Sequence, residues 1–371
     1  MQDFQFDIVI AGGGAAGRIL LYFLSNEPGF DEWKILVIES ENKIAEKTWC
    51  FWNQGQHPFQ HLVKKEWKDV SFQAKDFSKS EHIAPYAYCC LQGNEVNNYF
   101  EQHFFPRFSN IRFVAEDVLH TQKEKEYWHV HTSHHIYTCT HLVTNLPVSK
   151  SVDRMKQHFH GWFIEYEREV FDTNQEVLMD FSAAANKGFT FFYVLPFSSK
   201  KALVECTYYS ADTLNVNEYE AQLNAYILQH YGGDYRLLQT ETGSIPLIEE
   251  KPLATEHNHH RIGQSAGMIK ASTGYAFQRM TEDARLLAST IGKQNQRRKR
   301  HQRFRFYDRL LLCIIREDPQ QAVRIFEQLF KHQPIHKILT FLDEDSTLID
   351  EIKIFLRLPW WPFVKRIWKV L

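Results

Sequence analysis

A glycine-rich turn close to the start of the chain restricts the fold more than any other feature. Phe6–Ala11 (FDIVIA) is a nearly continuous apolar run rich in β-branched residues, which predicts a buried parallel strand. Gly12, Gly14 and Gly17 then form a G-x-G-x-x-G pattern. Arg18–Leu24 is apolar at helical spacing and predicts a helix that begins at the turn. This order of strand, turn and helix predicts a dinucleotide-binding unit.

The chemistry of a dinucleotide explains the glycines. They permit a tight turn, close approach of backbone N–H groups to a pyrophosphate, and close packing of the helix on the strand. A second predicted strand, Lys34–Ile38, ends at Glu39, whose carboxylate can accept hydrogen bonds from both ribose hydroxyls. The pattern does not separate FAD from NAD, although its place near the start of the chain favours FAD. The predicted cofactor-binding residues here are Gly12, Gly14, Ala15, Ala16, Gly17 and Glu39.

A second glycine turn late in the chain is another candidate for cofactor contact. Arg261–Met268 predicts a strand, a turn and a helix. In many flavoproteins such an element places an Asp beside the ribityl chain, and this sequence has Gln264 there. Ser272–Tyr275 is rich in small residues that suit backbone approach to an isoalloxazine ring, although a plain strand-to-helix turn is the alternative. The predicted cofactor-binding residues here are Gly263, Gly267, Met268, Ser272, Thr273 and Gly274.

The middle of the chain predicts antiparallel strands and its end predicts helices. The predicted strands are Gly161–Tyr166, Glu176–Phe181, Phe189–Leu195 and Ala202–Tyr208, and helix is predicted at 217–230 and over most of 281–371. The fold class is therefore α/β, with a Rossmann-type FAD-binding domain, an interleaved β-rich substrate domain and a helical C-terminal region. The predicted ranges are 1–70, 90–150 and 255–295 for the first domain, 71–89 and 151–254 for the second, and 296–371 for the helical region.

Glu205 is the candidate proton donor because it stands inside an apolar strand, Leu203–Thr207. Strand alternation places Leu203, Glu205 and Thr207 on one face. A carboxyl beside a hydrophobic cavity has a raised pKa, since desolvation disfavours its charge, and it can stay protonated and deliver a proton. The alternative is a Glu that faces solvent on an edge strand, which is the commoner environment for this residue.

Aromatic residues make up 15% of the chain and include 29 Phe. This excess is compatible with a long apolar pocket, with a membrane-facing patch or with a Phe-rich core. Lys47–Trp52 (KTWCFW) leaves a similar choice, because four bulky or sulfur-bearing residues in a row predict either a pocket wall near the cofactor or a buried corner.

Charge and cysteine content exclude several classes of function. The net charge of −2 provides no field for nucleic acid. The six cysteines lack C-x-x-C spacing, which predicts reduced thiols in the cytosol, and the His clusters lack the geometry that a metal site requires. The chain has no basic leader and no apolar run of the ~20 residues that a spanning helix needs, so we expect a soluble or peripheral protein.

The C-terminal segment 355–369 is the candidate membrane contact. It mixes Trp and Phe with Lys and Arg, a composition typical of the membrane interface. The basic run at 297–305 offers a second contact for anionic lipid, or a solvated helix face. A tail packed on the protein's own core is the alternative for 355–369. We expect a protein of the bacterial cytoplasm that lies at the cytoplasmic face of the membrane.

Motifs in a fixed order along residues 6–280 resemble the lycopene β-cyclase family of flavoproteins. The segments that carry the resemblance are FDIVIAGGGAAG (6–17), KTWCFW (47–52), GWFIE (161–165), LMDF (178–181), VLP (194–196), LVECT (203–207), GSIPL (243–247) and AGMIKASTGYAF (266–277). The resemblance implies an FAD-binding fold of the glutathione-reductase type. It also implies that Glu205 is similar to the family's catalytic acid/base and that Asp180 stands where the family has an acid as well.

The resemblance further implies a reaction. The family converts the linear ends of carotenoids such as lycopene and γ-carotene into β-ionone rings, giving β-carotene. It requires reduced FAD and returns it unchanged, so the reaction is a non-redox isomerisation by an intramolecular lyase, with NAD(P)H as a candidate electron source. A carbocation formed on the way could be stabilised by aromatic rings. The candidates for that contact are Trp162, Phe163, Phe191 and Tyr193.

The sequence departs from the family pattern at three places. Lys270-Ala271 stands where the family often has His-Pro, and Cys206 replaces a second Glu of the plant catalytic strand. No Arg occurs near Gln92-Gly93, where many relatives contact FAD phosphate. The alternatives are an FAD-dependent monooxygenase of the same fold, a non-catalytic flavoprotein that binds carotenoid or lipid, and a relative that makes ε-rings or cyclises one end.

Overall fold

The structure is a computed structural model that describes residues 4–40, 47–146, 155–183, 188–247, 256–291 and 301–370. Its strands in chain order are β1 (Phe4–Ala11), β2 (Ile35–Glu39), β3 (Thr48–Gln54), β4 (Lys65–Trp67), β5 (Asp69–Ala74), β6 (Phe77–His82), β7 (Tyr86–Gln92), β8 (Ile111–Ala115), β9 (Val118–Glu124), β10 (Tyr127–Thr132), β11 (Ile136–Thr144), β12 (Lys156–Tyr166), β13 (Gln175–Asp180), β14 (Phe189–Pro196), β15 (Lys201–Ser210), β16 (Tyr235–Pro246) and β17 (His259–Arg261). Its helices are α1 (Ala15–Leu24), α2 (Gly93–Tyr99), α3 (Val216–His230), α4 (Phe277–Thr290), α5 (Gln302–Glu317), α6 (Pro319–His332), α7 (Ile335–Leu342), α8 (Leu348–Phe355), α9 (Trp361–Val364) and α10 (Ile367–Val370).

The first sheet carries the glycine turn. Its strand order is β8-β2-β1-β11-β10-β9, with β17 beside β11, and β1 is parallel to both β2 and β11. Val9, Ile10 and Leu36 are fully buried, because a parallel sheet is covered on both faces. That coverage explains why the two predicted strands read as continuous apolar runs, and both predictions are confirmed as β1 and β2.

The second sheet provides the wall opposite the glycine turn. Its order is β16-β12-β15-β14-β13-β5-β6, and its pairs are antiparallel except β13 with β5. All four strands predicted in the middle of the chain are confirmed as β12 to β15, with somewhat different ends. Val204 and Phe192 pack on one face with Leu223 and Ile227 of α3. We call this face the α3 face.

The opposite face of the second sheet is here called the cleft face. Phe189, Phe191 and Leu203 lie on this face, in one apolar cluster with Ile314 and Phe326 from helices α5 and α6. The predicted helix at 217–230 is confirmed as α3, which begins with a capping box between Asn215 and Glu218. The sheet therefore separates two apolar cores that lie on either side of β15.

A third, three-stranded sheet of order β3-β7-β4 contains the KTWCFW segment. The first and second sheets take their strands from the chain in alternation, since β5 and β6 of the second sheet precede β8 of the first. The predicted domain limits at 70 and 89 fall inside β5 and β7, and the domain ranges stay a prediction.

The C-terminal part of the described chain is helical, from α5 to α10. No helix among the described residues is both long enough and apolar enough to cross a membrane. Leu358 and Pro362 are buried, whereas Trp360, Trp361 and Trp368 are exposed by 67%, 62% and 85%. The tail thus both packs on the protein and presents tryptophans to solvent. Residues 297–300 of the basic run lie outside the described residues.

Candidate active site

The glycine turn has the shape that a pyrophosphate needs. Gly12 adopts φ +120°, which L side chains rarely adopt. A Cβ at Gly17 would lie 2.4 Å from the carbonyl oxygen of Gly12, so only glycine permits α1 to approach the turn this closely. A Cβ at Gly14 would meet nothing within 4 Å, which leaves the start of α1 open on that side. Ala15 and Ala16 form the first turn of α1.

Arg18 adds a contact to this turn that the motif did not predict. It is 4% exposed, its Nε donates to the carbonyl oxygen of Gly13 at 3.0 Å, and its Nη2 lies 3.6 Å from Glu39. Its buried Nη1 has no hydrogen-bond partner in the described part of the chain. An uncompensated buried guanidinium N–H suits an anionic ligand, and the signal for it was an Arg directly after the last glycine of the motif.

The second glycine turn meets the first one in space. Residues Gly263–Ala266 form a single turn of 3-10 helix beside α1. A Cβ at Gly263 would lie 2.9 Å from Cβ of Ala16, which shows how close the two candidate cofactor segments are. Gln264 and Gly267 are exposed, and Met268 is half-buried. The two predicted sets of cofactor residues therefore converge.

The segment Ser272–Tyr275 is held by the buried residue Lys270. The backbone N–H of Gly274 donates to the carbonyl oxygen of Lys270 at 2.8 Å, and Gly274 adopts φ +75°. This left-handed backbone favours glycine, and a Cβ there would also lie 2.1 Å from Gln157 Oε1. The Lys270 ammonium lies 3.1 Å from both Asp308 and Glu344. In place of the family's His, Lys270 thus ties this segment to the C-terminal helices.

A cleft with an empty volume of about 870 Å³, part of it open to solvent, lies between these turns and the second sheet. Ala15, Thr273 and Gly274 line it from the cofactor side, and the Thr273 hydroxyl is buried without a partner among the described residues. Most of the remaining lining is aromatic or aliphatic, and it includes Trp49, Tyr88, Phe159, Tyr193, Tyr275 and Phe277. The cleft has the composition of a ligand site, with a mostly apolar lining and a few polar groups.

The KTWCFW segment forms both structures that its sequence left open, a pocket wall and a buried corner. Thr48, Trp49 and Cys50 line the cleft. Phe51 and Trp52 are buried behind them, with the Trp52 indole N–H donating to Asp343 at 2.6 Å. Burial raises the pKa of Asp343 to about 7. The segment is therefore a pocket wall on one side and a buried corner on the other.

Glu205 lies on the cleft face and lines the cleft, with Leu203 and Thr207 on the same face as the alternation predicted. Glu241 lines the cleft as well, and the sequence analysis missed it. In the strand register, Glu205 of β15 and Glu241 of β16 both stand opposite Gly161 of β12, so all three share one face. We call Glu205 and Glu241 the carboxyl pair. The only sequence signal for Glu241 was an acid just before GSIPL, in a strand with little apolar alternation.

Burial governs the electrostatics of the carboxyl pair. It raises the pKa of Glu205 well above the usual range, and the charge of Glu241 raises it further. Burial raises the pKa of Glu241 too, while two hydrogen bonds from Thr48 oppose that rise. The pKa of Lys47 is lowered by burial, and the negative charges of the pair partly restore it. A protonated Glu205 beside a less protonated Glu241 is the arrangement that results.

Asp180 does not join this group. It is fully buried on the α3 face, where it accepts hydrogen bonds from the Tyr226 hydroxyl at 2.8 Å and the Ser182 backbone N–H at 2.7 Å. Its catalytic role stays a prediction. Of the four aromatics proposed to face a cation, Tyr193 lines the cleft, whereas Trp162 packs on the α3 face.

Comparison with known sequences places the chain in a family. The sequence profile described as "Lycopene cyclase protein" matches residues 7–367. The chain belongs to the lycopene cyclase family. It is 23% identical over 292 residues to the lycopene β-cyclase of Pantoea ananas, covering 74% of this chain and 71% of that protein. It is 30% identical over 151 residues to the chloroplastic lycopene β-cyclase of Nicotiana tabacum, which is 36% of this chain and 29% of that one.

Comparison with solved structures shows the fold of this family member. A geranylgeranyl bacteriochlorophyll reductase-like protein from Thermoplasma acidophilum matches with a TM-score of 0.64 at 12% identity, over 99% of this chain and 100% of that chain. HpxO of Klebsiella pneumoniae, solved with FAD and uric acid, matches with a TM-score of 0.62 at 11% identity, over 91% of this chain and 96% of that chain. The predicted FAD-binding α/β fold with a helical C-terminal region is confirmed.

Proposed function

We propose that this protein is a lycopene β-cyclase, which closes β-ionone rings on the linear ends of carotenoids such as lycopene and γ-carotene. The observation that carries the proposal is a carboxyl with a raised pKa, Glu205, in an aromatic cleft beside a dinucleotide-type glycine turn. An apolar polyene offers no group except its double bonds, so its chemistry must begin with a group that stays protonated and delivers its proton in a dry site.

FAD is the cofactor that the site fits. The glycine turn with its open approach at Gly14 suits the pyrophosphate, and the buried unpartnered Nη1 of Arg18 suits an anionic group nearby. Glu39, at the end of β2, suits the adenosine ribose. Thr273 and Gly274 suit the isoalloxazine ring. When bound in its reduced form, with NAD(P)H as the electron source, the flavin supplies negative charge beside the cleft and is returned unchanged.

The protein's own residues perform the proton transfers. Glu205 delivers a proton to an end-group alkene, which creates a tertiary carbocation. A second alkene attacks this cation and closes a six-membered ring, and loss of a ring proton gives the β-ionone end. Aromatic rings such as Tyr193 and Phe159 line the cleft and can each contribute about 0.5–2 kcal/mol of cation–π attraction. The apolar lining also limits the water that would otherwise trap the cation.

The C-terminal helices are the part that would reach a substrate dissolved in a bilayer. Exposed apolar side chains concentrate between α8 and α10, next to the exposed cations Lys353, Arg357 and Lys365. Together they suit insertion among headgroups of an anionic lipid surface. The exposed apolar side chains are Leu348, Ile349, Ile352, Leu356, Trp360, Trp361, Val364 and Trp368. We propose a peripheral location at the cytoplasmic face of a bacterial membrane.

Expression in lycopene-accumulating bacteria tests the reaction. We expect pigment chromatography to show monocyclic or bicyclic products with β-rings, and none with Glu205→Gln. Oxygen uptake by the purified protein on addition of NADPH, without new cyclic pigment, would instead indicate an FAD-dependent monooxygenase. Pigment that co-purifies unchanged would indicate a carotenoid-binding flavoprotein, and ε-ring products would indicate a related cyclase.

Flotation with anionic liposomes tests the location. We expect the wild type to float and the triple variant Trp360→Ser, Trp361→Ser, Trp368→Ser to remain in solution. The matched control replaces two exposed leucines elsewhere, Leu119→Ser and Leu228→Ser, which are exposed by 66% and 50%. Equal flotation of the triple variant and the wild type contradicts the proposed membrane contact.

A further inference from the structure

The carboxyl pair depends on a glycine in the strand between its members. Glu205 and Glu241 lie two strands apart, on either side of β12, which is roughly 10 Å between their backbones. Gly161 faces both. A Cβ at Gly161 would lie 3.3 Å from Cγ of Glu241 and 3.5 Å from Cβ of Glu205. Because Gly161 has no side chain, the two Glu side chains approach each other over its backbone, and each carboxyl affects the pKa of the other.

The two members of the pair have unequal surroundings. One oxygen of Glu241, Oε2, accepts hydrogen bonds from the backbone N–H of Thr48 at 3.1 Å and from its hydroxyl at 2.8 Å. Glu205 accepts one such bond, from the Thr207 hydroxyl at 2.9 Å. The Lys47 charge lowers the pKa of both carboxyls and so does not distinguish them. Hydrogen bonds stabilise a carboxylate, so the more strongly hydrogen-bonded Glu241 is the anionic member and Glu205 the protonated one.

We propose that Glu241 is a positioning residue for cyclisation, which shares one proton with Glu205 and so keeps the donor protonated at neutral pH. The proposal rests on the proposed function, because it gives Glu241 no role unless Glu205 delivers a proton. It also gives Thr48 a role, because its two hydrogen bonds hold the negative charge of the pair on Glu241. Two acidic groups that share a proton titrate as a unit, and the partner's charge holds the proton on the donor.

One turnover leaves the proton count of the carboxyl pair unchanged. The O–H bond of Glu205 breaks as a C–H bond forms at the end-group alkene, which leaves two carboxylates beside a substrate cation. The electrons of the second alkene then form the ring C–C bond. A ring C–H bond breaks, its electrons form the ring double bond, and the proton returns to the pair. No oxidant or reductant is consumed. The nearby Lys47 offsets the second negative charge while it exists.

The charges of the carboxyl pair also affect the pKa values of other ionisable groups, whose titration must be distinguished from that of the pair. They are Lys47, Cys50, Tyr193 and Cys206. A hydrogen bond with Cys90 and burial raise the pKa of the Cys50 thiol, and burial raises the pKa of the Cys206 thiol and of the Tyr193 phenol, so these three stay neutral over the working range. Burial lowers the pKa of Lys47, so its deprotonation can also contribute to an alkaline loss of activity. A Lys47→Met variant therefore accompanies the test.

The test is the pH dependence of cyclisation by the full chain with reduced FAD and lycopene in anionic vesicles, between about pH 5 and pH 9. We expect Glu241→Gln to lower the pH at which activity falls by half, by about one unit, because the donor loses the charge that held its proton. The loss of activity is smaller at the acid end, where Glu205 is protonated without the charge of its partner. Glu165→Gln is the matched control and keeps the wild-type profile, since Glu165 lies near the end of β12, where it pairs with Lys201.

The outcomes separate the two proposals. The proposal is overturned if the activity of Glu241→Gln falls by half at the same alkaline pH as that of the wild type. It is also overturned if this variant, with normal FAD content, loses the same fraction of activity at every pH. A Lys47→Met profile that alone reproduces the whole shift also overturns it. If Glu241→Gln does not fold, Glu241→Asp takes its place, and a shift in the same direction is required. A wild type that forms no cyclic product at any pH contradicts the proposed function instead.

Discussion

Each face of the second sheet carries one of the two predicted catalytic acids, and the surroundings of these two acids are opposite. On the cleft face, Glu205 lies beside a second carboxyl, Glu241, and its pKa is raised. On the α3 face, Asp180 accepts hydrogen bonds from Tyr226 and from the Ser182 backbone. An acid whose two oxygens both accept hydrogen bonds is held in place, whereas one crowded by another carboxyl holds a proton ready for transfer. Burial of an acid therefore does not by itself indicate catalysis, and its partners decide.

The largest expected effect separates the faces directly. Glu205→Gln removes the donor on the cleft face, and we expect the initial rate of cyclisation to fall by about 10²–10⁴-fold, the usual contribution of a general acid. Flavin absorbance of the purified variant should match the wild type, because no candidate cofactor residue changes. A variant that retains its flavin and cyclises lycopene at the normal rate would contradict the assignment of Glu205.

Gly161→Ala sharpens the comparison by disturbing the cleft face without removing an acid. The new Cβ would lie 2.9 Å from Cδ1 of Leu203, and it also separates the carboxyl pair. We expect roughly tenfold slower cyclisation, because small displacements of reacting groups are costly. Gly233→Ala is a matched control, since its Cβ would meet Cδ2 of Leu228 at the same 2.9 Å but far from the cleft residues. Equal losses of cyclisation rate in both variants would show that the effect of Gly161→Ala is not specific to the cleft face.

Asp180→Asn tests the α3 face, including the predicted catalytic role of Asp180. If the faces differ as described, the free energy of unfolding falls by about 1–3 kcal/mol, because one of the two buried hydrogen bonds is lost or weakened. The rate per folded molecule stays within about threefold. Thermal unfolding and initial rates measure the two effects, with Tyr226→Phe as the companion variant. A rate loss as large as that of Glu205→Gln would support a catalytic Asp180 and remove the contrast.

The smallest expected effect is a shift in the direction opposite to that of Glu241→Gln. The Thr207 hydroxyl donates to Glu205 and lowers its pKa, so Thr207→Val raises that pKa further. Protonated Glu205 is the active form, and a higher pKa keeps it protonated to a higher pH. We therefore expect the alkaline limit of activity to rise by less than about one unit. A fall of that limit would show that the hydroxyl does not act through the proton of Glu205.

The sequence alone determined the features that depend on neighbouring residues. A β-branched run, three glycines and an amphipathic helix specify β1, the turn and α1, because each step needs only local backbone geometry. The same holds for the face of Glu205, since strand alternation sets it. The resemblance of ordered motifs added the family, which no single motif could supply.

Only the tertiary structure decided which acids meet. Glu241 joins Glu205 through the register of β16 and β15 on β12, and pairing between distant segments cannot be read from either strand. Val177 packs on the α3 face, so simple alternation along β13 would place Asp180 on the cleft face. A register irregularity between Val177 and Asp180 shifts Asp180 to the α3 face instead. One extra residue in a strand reverses the face of every side chain after it, and the packing of the whole sheet sets where that residue stands.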